Sequence, residues 1–276
     1  MLAKSKNVAS PFFELTAPII IESVEQLMRL NSEITYYIPG DTTIPKQDPN
    51  PLSVNMYSMG YETAGIFRGQ NKSWPLIPAS YREHFYEPKN DTGKFVINFR
   101  YASATHQFKE FSEKASRQNL DYPKSILEQM SIAQHYGIKT PLLDWSRNVL
   151  VALYFALDLS GDDLEDKNYS PYIYHIKDER MLSDEVPDES EIAQFNKSAF
   201  VRPYPIDRRV ERQFGCFTYH PHPLHKPEKI PIDVYIISEN IVQDLWHLMK
   251  GFGFSSEHFF PDYAGIAEKM RHDYML

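Results

Sequence analysis

Three groups of polar residues in this sequence have types and spacings that suit chemistry on an anionic ligand. The first is the run Phe67-Arg68-Gly69-Gln70. A guanidinium at the end of a strand can offer a planar fork to a phosphate or a carboxylate. The flexible Gly69 beside it would let the backbone come close to that ligand. The alternative for Arg68 is a structural ion pair, which is a common use of arginine.

The second group lies in the middle of the chain. His135 and Tyr136 precede a glycine, and Asp144 and Ser146 follow a short apolar run. These residues fall at predicted helix and strand ends, where binding pockets form in α/β folds. Structural alternatives exist for two of them, because a histidine near a helix carboxyl terminus is stabilised as a cation and an aspartate can cap a helix.

The third group is a basic segment that contains Glu211 and Gln213, two residues apart. If this segment is a strand, the carboxylate and the amide point to the same side. Its arginines form a dense basic cluster in an otherwise acidic chain, and such a cluster can contact the phosphates of a nucleic acid. The alternative is a solvated run of charge. The arginines are Arg202, Arg208, Arg209 and Arg212.

Two further features bear on metals and nucleophiles. Histidines alternate with prolines from His220 to His225, but the prolines favour an irregular loop, so we expect no metal site. Cys216 is the single cysteine, which excludes an intramolecular disulfide and a zinc site built on cysteine pairs. Its apolar surroundings predict a buried small side chain rather than a nucleophile.

The elements that must position these groups follow from periodicity and capping signals. We predict that the Ser125 hydroxyl caps the start of one helix, with Glu128 answering it three residues later, and that Gly137 ends this helix. Ser146 or Asn148 is predicted to cap the next helix. The predicted strands are 18–22, 61–68 closed by Gly69, 140–144, 172–176, 214–219 and 234–237. The predicted helices are 95–116, 126–136, 149–157, 241–249 and 263–270, with a capping box at Ser23 and Gln26 before a further short helix.

Prolines crowd the stretch 37–52 and predict a connecting loop. This divides the chain into a strand-helix element with its Pro-rich loop, residues 1–56, and a main body, residues 57–276, which we expect to form one structural unit. The chain has 276 residues, 42% of them hydrophobic and 24% charged, which is enough material for a packed core.

The charge balance and the apolar runs exclude several classes of protein. A net charge of −8 argues against broad nonspecific binding of nucleic acids. The run 149–157 is far shorter than the ~20 residues of a membrane-crossing helix, and the start of the chain has no secretory pattern. We therefore expect a cytoplasmic protein that does not enter the membrane. Neither a P-loop nor a Rossmann fingerprint is present in the sequence.

Taken together, the motifs resemble those of the FRG domain family, which is named for a Phe-Arg-Gly signature. The resemblance spans roughly residues 17–271. The motifs follow in this order: Phe67-Arg68-Gly69, WPLIPASYR at 74–82, QHYG at 134–137, TPLLDWS at 140–146, ALYFA at 152–156, RQFGCFTYHP at 212–221 and FFPDYAGIA at 259–267.

The order of these motifs is also distantly similar to that of ADP-ribosyltransferases of the Arg-Ser-Glu type. This similarity implies an α+β fold with a split mixed sheet and flanking helices. It implies that Arg68 binds the NAD phosphates, that Ser146 is the middle hydroxyl, and that Glu211 and Gln213 form the final catalytic element. A glutamine at position 213 departs from the expected glutamate, so that Glu211 would have to supply the carboxylate.

The same resemblance implies contacts to NAD and a macromolecular acceptor. Gly69 and Gln70 would support Arg68, His135 and Tyr136 would contact the nicotinamide ribose, and Asp144 and Ser146 would orient its hydroxyls and the carboxylate.

We expect NAD as a substrate, no metal, and an acceptor docked at the arginine cluster, with nucleic acid, RNA in particular, favoured over protein. A toxin or antiviral defence effector with an antitoxin or inhibitor partner fits this activity. The alternatives are a noncatalytic nucleotide-binding or nucleic-acid-binding module and an NAD glycohydrolase.

Overall fold

A computed structural model describes residues 10–27, 65–82, 93–118, 121–157, 170–177, 182–183, 191–192, 194–201, 208–260 and 263–274. The strands are β1 Phe13–Leu15, β2 Ile19–Ile21, β3 Ile66–Gln70, β4 Leu142–Ser146, β5 Tyr172–Ile176, β6 Ala199–Val201, β7 Gly215–Tyr219 and β8 Ile230–Ile237. The helices are α1 Gly93–Gln118, α2 Ile126–His135, α3 Val149–Ala156, α4 Arg208–Arg212, α5 Glu239–Gly251, α6 Ser256–Phe259 and α7 Tyr263–Tyr274. The predicted α+β class is confirmed.

The strands form a mixed sheet in the order β1-β8-β5-β3-β4-β7-β6, and β2 also pairs with β8. β1 and β2 run parallel to β8, whereas all other neighbouring pairs are antiparallel. The predicted strand 18–22 is therefore confirmed as β2. The amino-terminal strands lie in the same sheet as the main body, and the predicted Pro-rich loop at 37–52 falls outside the described residues.

The sheet is nearly divided between β3 and β4. These two strands share one register pair, Phe67 with Ser146, whereas β3 pairs with β5 along its whole length. β4 likewise pairs with β7 along its whole length. The two halves of the sheet thus meet at a single point and separate beyond it.

Both faces of the sheet are covered by apolar side chains. On one face, α3 and α5 pack against Phe67 of β3 and Ile173 of β5. On the other face, the segment 74–82 packs through Leu76, Ile77 and Tyr81. A third cluster joins α1 and α2 to β4, β6 and β7, and it includes Phe108, Leu127, Met130, Leu142 and Phe217. Among the described helices, none is long and apolar enough to cross a membrane.

Local signals explain how the two helices around β4 begin and end. Asn148 caps α3, because its side chain accepts a hydrogen bond of 2.8 Å from the Leu150 amide. Ser125 precedes α2, but its hydroxyl makes no capping bond, which corrects that prediction. Gly137 follows α2 at a φ of +83°, as expected of a residue that ends a helix.

Gly69 has a packing role that the sequence analysis does not predict. A Cβ atom at this position would lie 1.7 Å from the Ala152 carbonyl oxygen of α3. The glycine therefore lets helix α3 lie directly on strand β3, and this close packing explains its presence without any ligand. Gly69 also does not close the strand, which continues to Gln70, so Arg68 lies in the middle of β3 rather than at its end.

A buried polar network crosses the sheet at the end of β7. His220 is fully buried, and its Nε2 and Nδ1 atoms lie 2.7 Å from Thr218 Oγ1 and 3.1 Å from Ser198 Oγ. Trp145 Nε1 donates to the same Thr218 hydroxyl at 2.8 Å. Burial lowers the pKa of His220 to about 3. This histidine is thus a neutral core residue. Cys216 is buried, as predicted.

We predict that Gly69→Ala destabilises the protein, because the new methyl group overlaps the α3 backbone. Overpacking of this kind costs about 1–3 kcal/mol in the free energy of unfolding, measured by urea denaturation. Gly251→Ala is the matched control, since no atom lies within 4 Å of its added Cβ. The control is expected to change stability by less than about 1 kcal/mol. Equal stability of the two variants would contradict the proposed packing role.

We predict that His220 makes the stability of the protein depend on pH. Its pKa of about 3 in the folded state lies below the ordinary histidine value of 6.5, so between these pH values the unfolded chain binds a proton that the folded chain does not. Stability is therefore lost as the pH falls below about 6.5, and one group shifted in this way costs about 1.4 kcal/mol between pH 7.5 and 5.5.

Urea denaturation of the wild type and of His220→Gln at both pH values measures this contribution. The variant is expected to lose about 1.4 kcal/mol less than the wild type over the same interval. An identical pH dependence in the two proteins would exclude a neutral buried His220.

Candidate functional site

A cavity of about 700 Å³ opens where β3 and β4 separate. Its walls come from β3, from the segment after β3, from β4 and α3, and from the chain around α4 and α6. The side chains in its lining include Arg68, Gln70, Trp74, Arg82, Asp144, Ser146, Phe155, Gln213 and Phe260. The cavity therefore joins parts of the sequence that are far apart.

Arg68 bridges the gap between the two halves of the sheet. Its Nη1 atom donates to the Asp144 carbonyl oxygen at 2.6 Å and lies 3.6 Å from the carboxylate oxygen Oδ2 of the same residue. The guanidinium thus supplies a donor to β4 just beyond the last β3–β4 register pair. Burial lowers the pKa of Arg68, and the charge of Asp144 opposes this shift. The structural ion pair predicted as an alternative does exist, at the wall of the cavity.

Gln70 holds the guanidinium from a second side. With its amide oriented to satisfy both neighbours, its oxygen accepts from Arg68 Nε at 3.2 Å and its nitrogen donates to the Trp74 carbonyl oxygen at 3.0 Å. The same amide therefore connects β3 to the segment that follows it. Arg68 is fixed before any ligand arrives, since its donors are bonded on two sides.

Asp144 is the carboxylate residue among those that line the cavity. Its side chain is 62% exposed, and its Oδ1 atom accepts from Gln134 Nε2 at 2.8 Å. The Thr140 hydroxyl donates in turn to Oε1, the side-chain amide oxygen of Gln134. Gln134, which lies next to the predicted His135 and Tyr136, is the residue of that motif that reaches the site. Asp144 does not cap α3, since Asn148 does.

Ser146 and Gln213 tie the far wall of the cavity together. The Ser146 hydroxyl donates to the Gln213 carbonyl oxygen at 2.8 Å and accepts from the Asn148 amide at 3.0 Å. Gln213 Nε2 donates to the Phe259 carbonyl oxygen at 3.2 Å. The hydroxyl and the amide thus already have protein partners that hold β4, α3 and α6 in place.

The segment that contains Glu211 is helical, so the condition under which Glu211 and Gln213 would point to the same side, a strand over these residues, is not met. α4 spans Arg208–Arg212, and β7 begins only at Gly215, after Phe214 adopts a φ of +47°. Glu211 is exposed and does not line the cavity, whereas Gln213 does. The two side chains therefore do not share one space.

Two of the predicted basic residues face the wall of the cavity. Arg212 Nη1 donates to the His258 carbonyl oxygen at 3.1 Å, and the Arg209 guanidinium lies 5.4 Å from the centroid of the Phe260 ring. Both arginines attach α4 to the segment around α6. Arg208 begins α4, and Arg202 lies outside the described residues. Contact between this cluster and an acceptor stays a prediction.

His135 and Tyr136 are at the end of α2, outside the residues that line the cavity. Their rings pack edge to face with centroids 5.3 Å apart, and Tyr136 is 63% exposed. In the part of the chain that the structure describes, no three His, Cys, Asp or Glu side chains form a group that could hold a metal ion.

Four further residues line the cavity that the sequence alone does not single out: Trp74, Arg82, Phe155 and Phe260. Each falls in or beside one of the motifs quoted above, but none has a local feature that distinguishes it from a core or surface residue. Trp74 is 54% exposed, which leaves an aromatic face open to the solvent. Aromatic side chains at a cavity can stack on a planar ligand.

Residues 63–164 match the model of the FRG domain. This range covers β3, α1, α2, β4 and α3, and therefore most of the residues that surround the cavity. Gln213 and Phe260 lie beyond it. No curated protein and no solved structure gives a significant match to the chain.

We predict that Ser146→Ala destabilises the fold by about 1–3 kcal/mol, because the substitution leaves the Gln213 carbonyl and the Asn148 amide without a partner. Urea denaturation measures the change. Ser116→Ala is the control, since that serine is exposed on α1 and its loss is expected to cost within about 0.5 kcal/mol. A Ser146→Ala variant as stable as the control would show that Ser146 has no structural role.

Proposed function

The chain carries an FRG domain, and from that premise we propose that the cavity beside Arg68 binds NAD and that the protein is an ADP-ribosyltransferase-like enzyme acting on a macromolecule. The observation that supports this most is the fixed guanidinium of Arg68, whose side chain is 17% exposed at the wall of the cavity. A preorganised guanidinium is suited to hold the diphosphate of a dinucleotide.

The dimensions and the lining of the cavity are consistent with this ligand. Small-molecule sites range over about 300–1,000 Å³, and this cavity is about 700 Å³. Trp74, Phe155 and Phe260 offer aromatic surface for the nicotinamide and adenine rings. The nearly divided sheet also agrees with the split mixed sheet that the transferase resemblance implies.

The proposed reaction breaks the bond between the nicotinamide nitrogen and C1 of the ribose. The bonding electrons leave with nicotinamide, the sugar acquires positive charge, and a nucleophile of the acceptor then bonds to C1 and loses its proton. A carboxylate near the sugar stabilises the charged transition state. Glu211 is exposed away from the cavity lining, so we assign this role to Asp144, which Gln134 and Arg68 hold in place.

A noncatalytic nucleotide-binding module is the second candidate, and one observation favours it. The position expected to carry the catalytic glutamate has Gln213, whose amide donates to the Phe259 carbonyl oxygen and closes the wall of the cavity. In this case Arg68 would hold a phosphate without subsequent chemistry. Hydrolysis of NAD to free ADP-ribose is the remaining alternative, since water can take the place of the acceptor.

We propose nucleic acid, RNA in particular, as the acceptor, on the basis of the arginine-rich segment before β7. A role as a toxin or antiviral defence effector, with an antitoxin or inhibitor as partner, would follow from such an activity. Both parts of this proposal come from the sequence and from the family resemblance rather than from the geometry of the cavity.

The first experiment measures NAD binding by calorimetry for the wild type, Arg68→Ala and the control Arg117→Ala, whose arginine is exposed on α1. Loss of a charge-assisted contact costs about 1.5–3 kcal/mol, so Arg68→Ala is expected to weaken binding roughly 10-fold to 100-fold. The control is expected to bind as the wild type does. Near-ultraviolet circular dichroism confirms that Arg68→Ala is folded, and Arg68→Lys serves if it is not.

The second measurement follows label from adenine-labelled NAD in a cell lysate. Label that nuclease removes indicates transfer to nucleic acid, label that protease removes indicates transfer to protein, and free ADP-ribose indicates hydrolysis. Asp144→Asn is expected to abolish turnover while Glu211→Gln leaves it unchanged. Binding of NAD without turnover would favour the noncatalytic module, and the absence of any Arg68-dependent binding would exclude both proposals.

A further inference from the structure

We propose that Arg82 and Arg68 together form a two-guanidinium site in this cavity that selects ligands with a diphosphate group. The inference deepens the proposed function and rests on it for the identity of the dinucleotide, but the selection for two phosphates can be tested without NAD. Arg82 comes from a different part of the chain than β3, so each guanidinium reaches the cavity from its own element.

Arg82 is the last residue of the segment 74–82, which packs against the sheet through buried side chains. Ile77 and Tyr81, just before it, are buried on the face of the sheet opposite α3. The Tyr81 hydroxyl donates to the His220 carbonyl oxygen at 3.0 Å. Arg82 Nε donates to the Ile77 carbonyl oxygen at 3.0 Å, and this bond holds the Nε atom of the guanidinium. The cation is therefore placed by its own segment rather than by a carboxylate.

The two arginines differ in how their charge is balanced. Arg68 is paired with Asp144. Among the described residues, no carboxylate forms an ion pair with Arg82. Among the described residues that line the cavity there are thus two guanidinium groups and one carboxylate, and the sum of these charges is positive.

The guanidinium of Arg82 acts electrostatically on that of Arg68. Besides burial, which is the largest cause, the charge of Arg82 lowers the pKa of Arg68. Two cations close enough to interact in this way repel each other, and an anion that lies between them removes that repulsion. A cavity with this arrangement is therefore electrostatically suited to an anion.

A diphosphate fits this arrangement better than a single phosphate. One guanidinium fork is sufficient to bind one phosphate through two parallel hydrogen bonds. Two forks on separate elements give each of two linked phosphates its own cation. Gln70 joins the two parts of the chain, because it contacts Arg68 Nε and the carbonyl oxygen of Trp74, which belongs to the segment that ends at Arg82.

The test compares inorganic diphosphate with inorganic phosphate, and ADP with AMP, by calorimetry on the full chain. The variants are Arg82→Gln, Arg68→Gln and the control Arg117→Gln, whose arginine is exposed on α1. The wild type is expected to bind diphosphate at least about tenfold more tightly than phosphate. Arg82→Gln is expected to lose about tenfold in diphosphate affinity and much less in phosphate affinity, because each charge-assisted contact contributes on that order.

Each outcome separates this inference from the proposed function. If Arg68→Gln abolishes diphosphate binding and Arg82→Gln does not change it, the two-guanidinium site is wrong and NAD binding through Arg68 stands. If diphosphate binding needs both arginines and NAD is not bound, the inference stands and the proposed function fails. A wild type that does not distinguish diphosphate from phosphate overturns the inference.

A second variant guards against loss of folding. Arg82→Lys keeps the charge but removes the fork and the Nε contact to Ile77, so it is expected to bind diphosphate with an affinity between those of the wild type and Arg82→Gln. Urea denaturation confirms that each variant is folded. Recovery of the full wild-type preference for diphosphate in Arg82→Lys would mean that charge alone, rather than a fork, selects the ligand.

Discussion

The close contact between helix α3 and strand β3 is the constraint on which the rest of the site depends. A side chain at Gly69 would overlap the Ala152 carbonyl, so the helix can lie on the strand only where the strand has no Cβ atom. This contact sets the position of β3 beneath α3. Because successive side chains of a strand point to opposite faces, it also directs the Arg68 side chain to the face of β3 that lies away from α3. It also places Phe155 of α3 at the edge of the cavity. The packing of the core and the shape of the site therefore share one cause.

The cavity exists because the sheet separates at its centre. Beyond the pair of Phe67 and Ser146, strands β3 and β4 form no further ladder, and the main chain of β4 needs a donor at Asp144. Arg68 supplies that donor with its guanidinium. A strand-to-strand hydrogen bond is thus replaced by a side chain, which leaves a cationic wall where a continuous sheet would leave no space. Exposed ion pairs contribute little to stability. The arrangement of this pair is therefore fixed by Arg68, the more buried of the two side chains, rather than by the exposed Asp144 carboxylate.

The chemistry that the site can perform depends on which carboxylate reaches it. Gln213 is built into the wall through Phe259 and Ser146, and Glu211 is on the exposed side of a short helix. Asp144 is instead oriented by Gln134, which Thr140 orients in turn. These hydrogen bonds run from the buried Thr140 to the partly exposed carboxylate of Asp144. A reacting group needs support of this kind to hold its orientation. The same support would also serve a residue that only binds ribose hydroxyls.

The sequence by itself determined the elements with strong local signals. The predicted strand 172–176 coincides with β5, and the apolar run with Ser146 or Asn148 as its cap predicted α3, because a short run of strand-forming residues and a helix cap are properties of neighbouring residues. The motif around Arg68 also identified one wall of the cavity. Tertiary structure alone decided the partner of Gly69, the helical turn at 208–212 and the exposure of Glu211. These depend on contacts between residues far apart in the chain, such as Arg212 with the His258 carbonyl, and no pattern of adjacent side chains encodes such contacts.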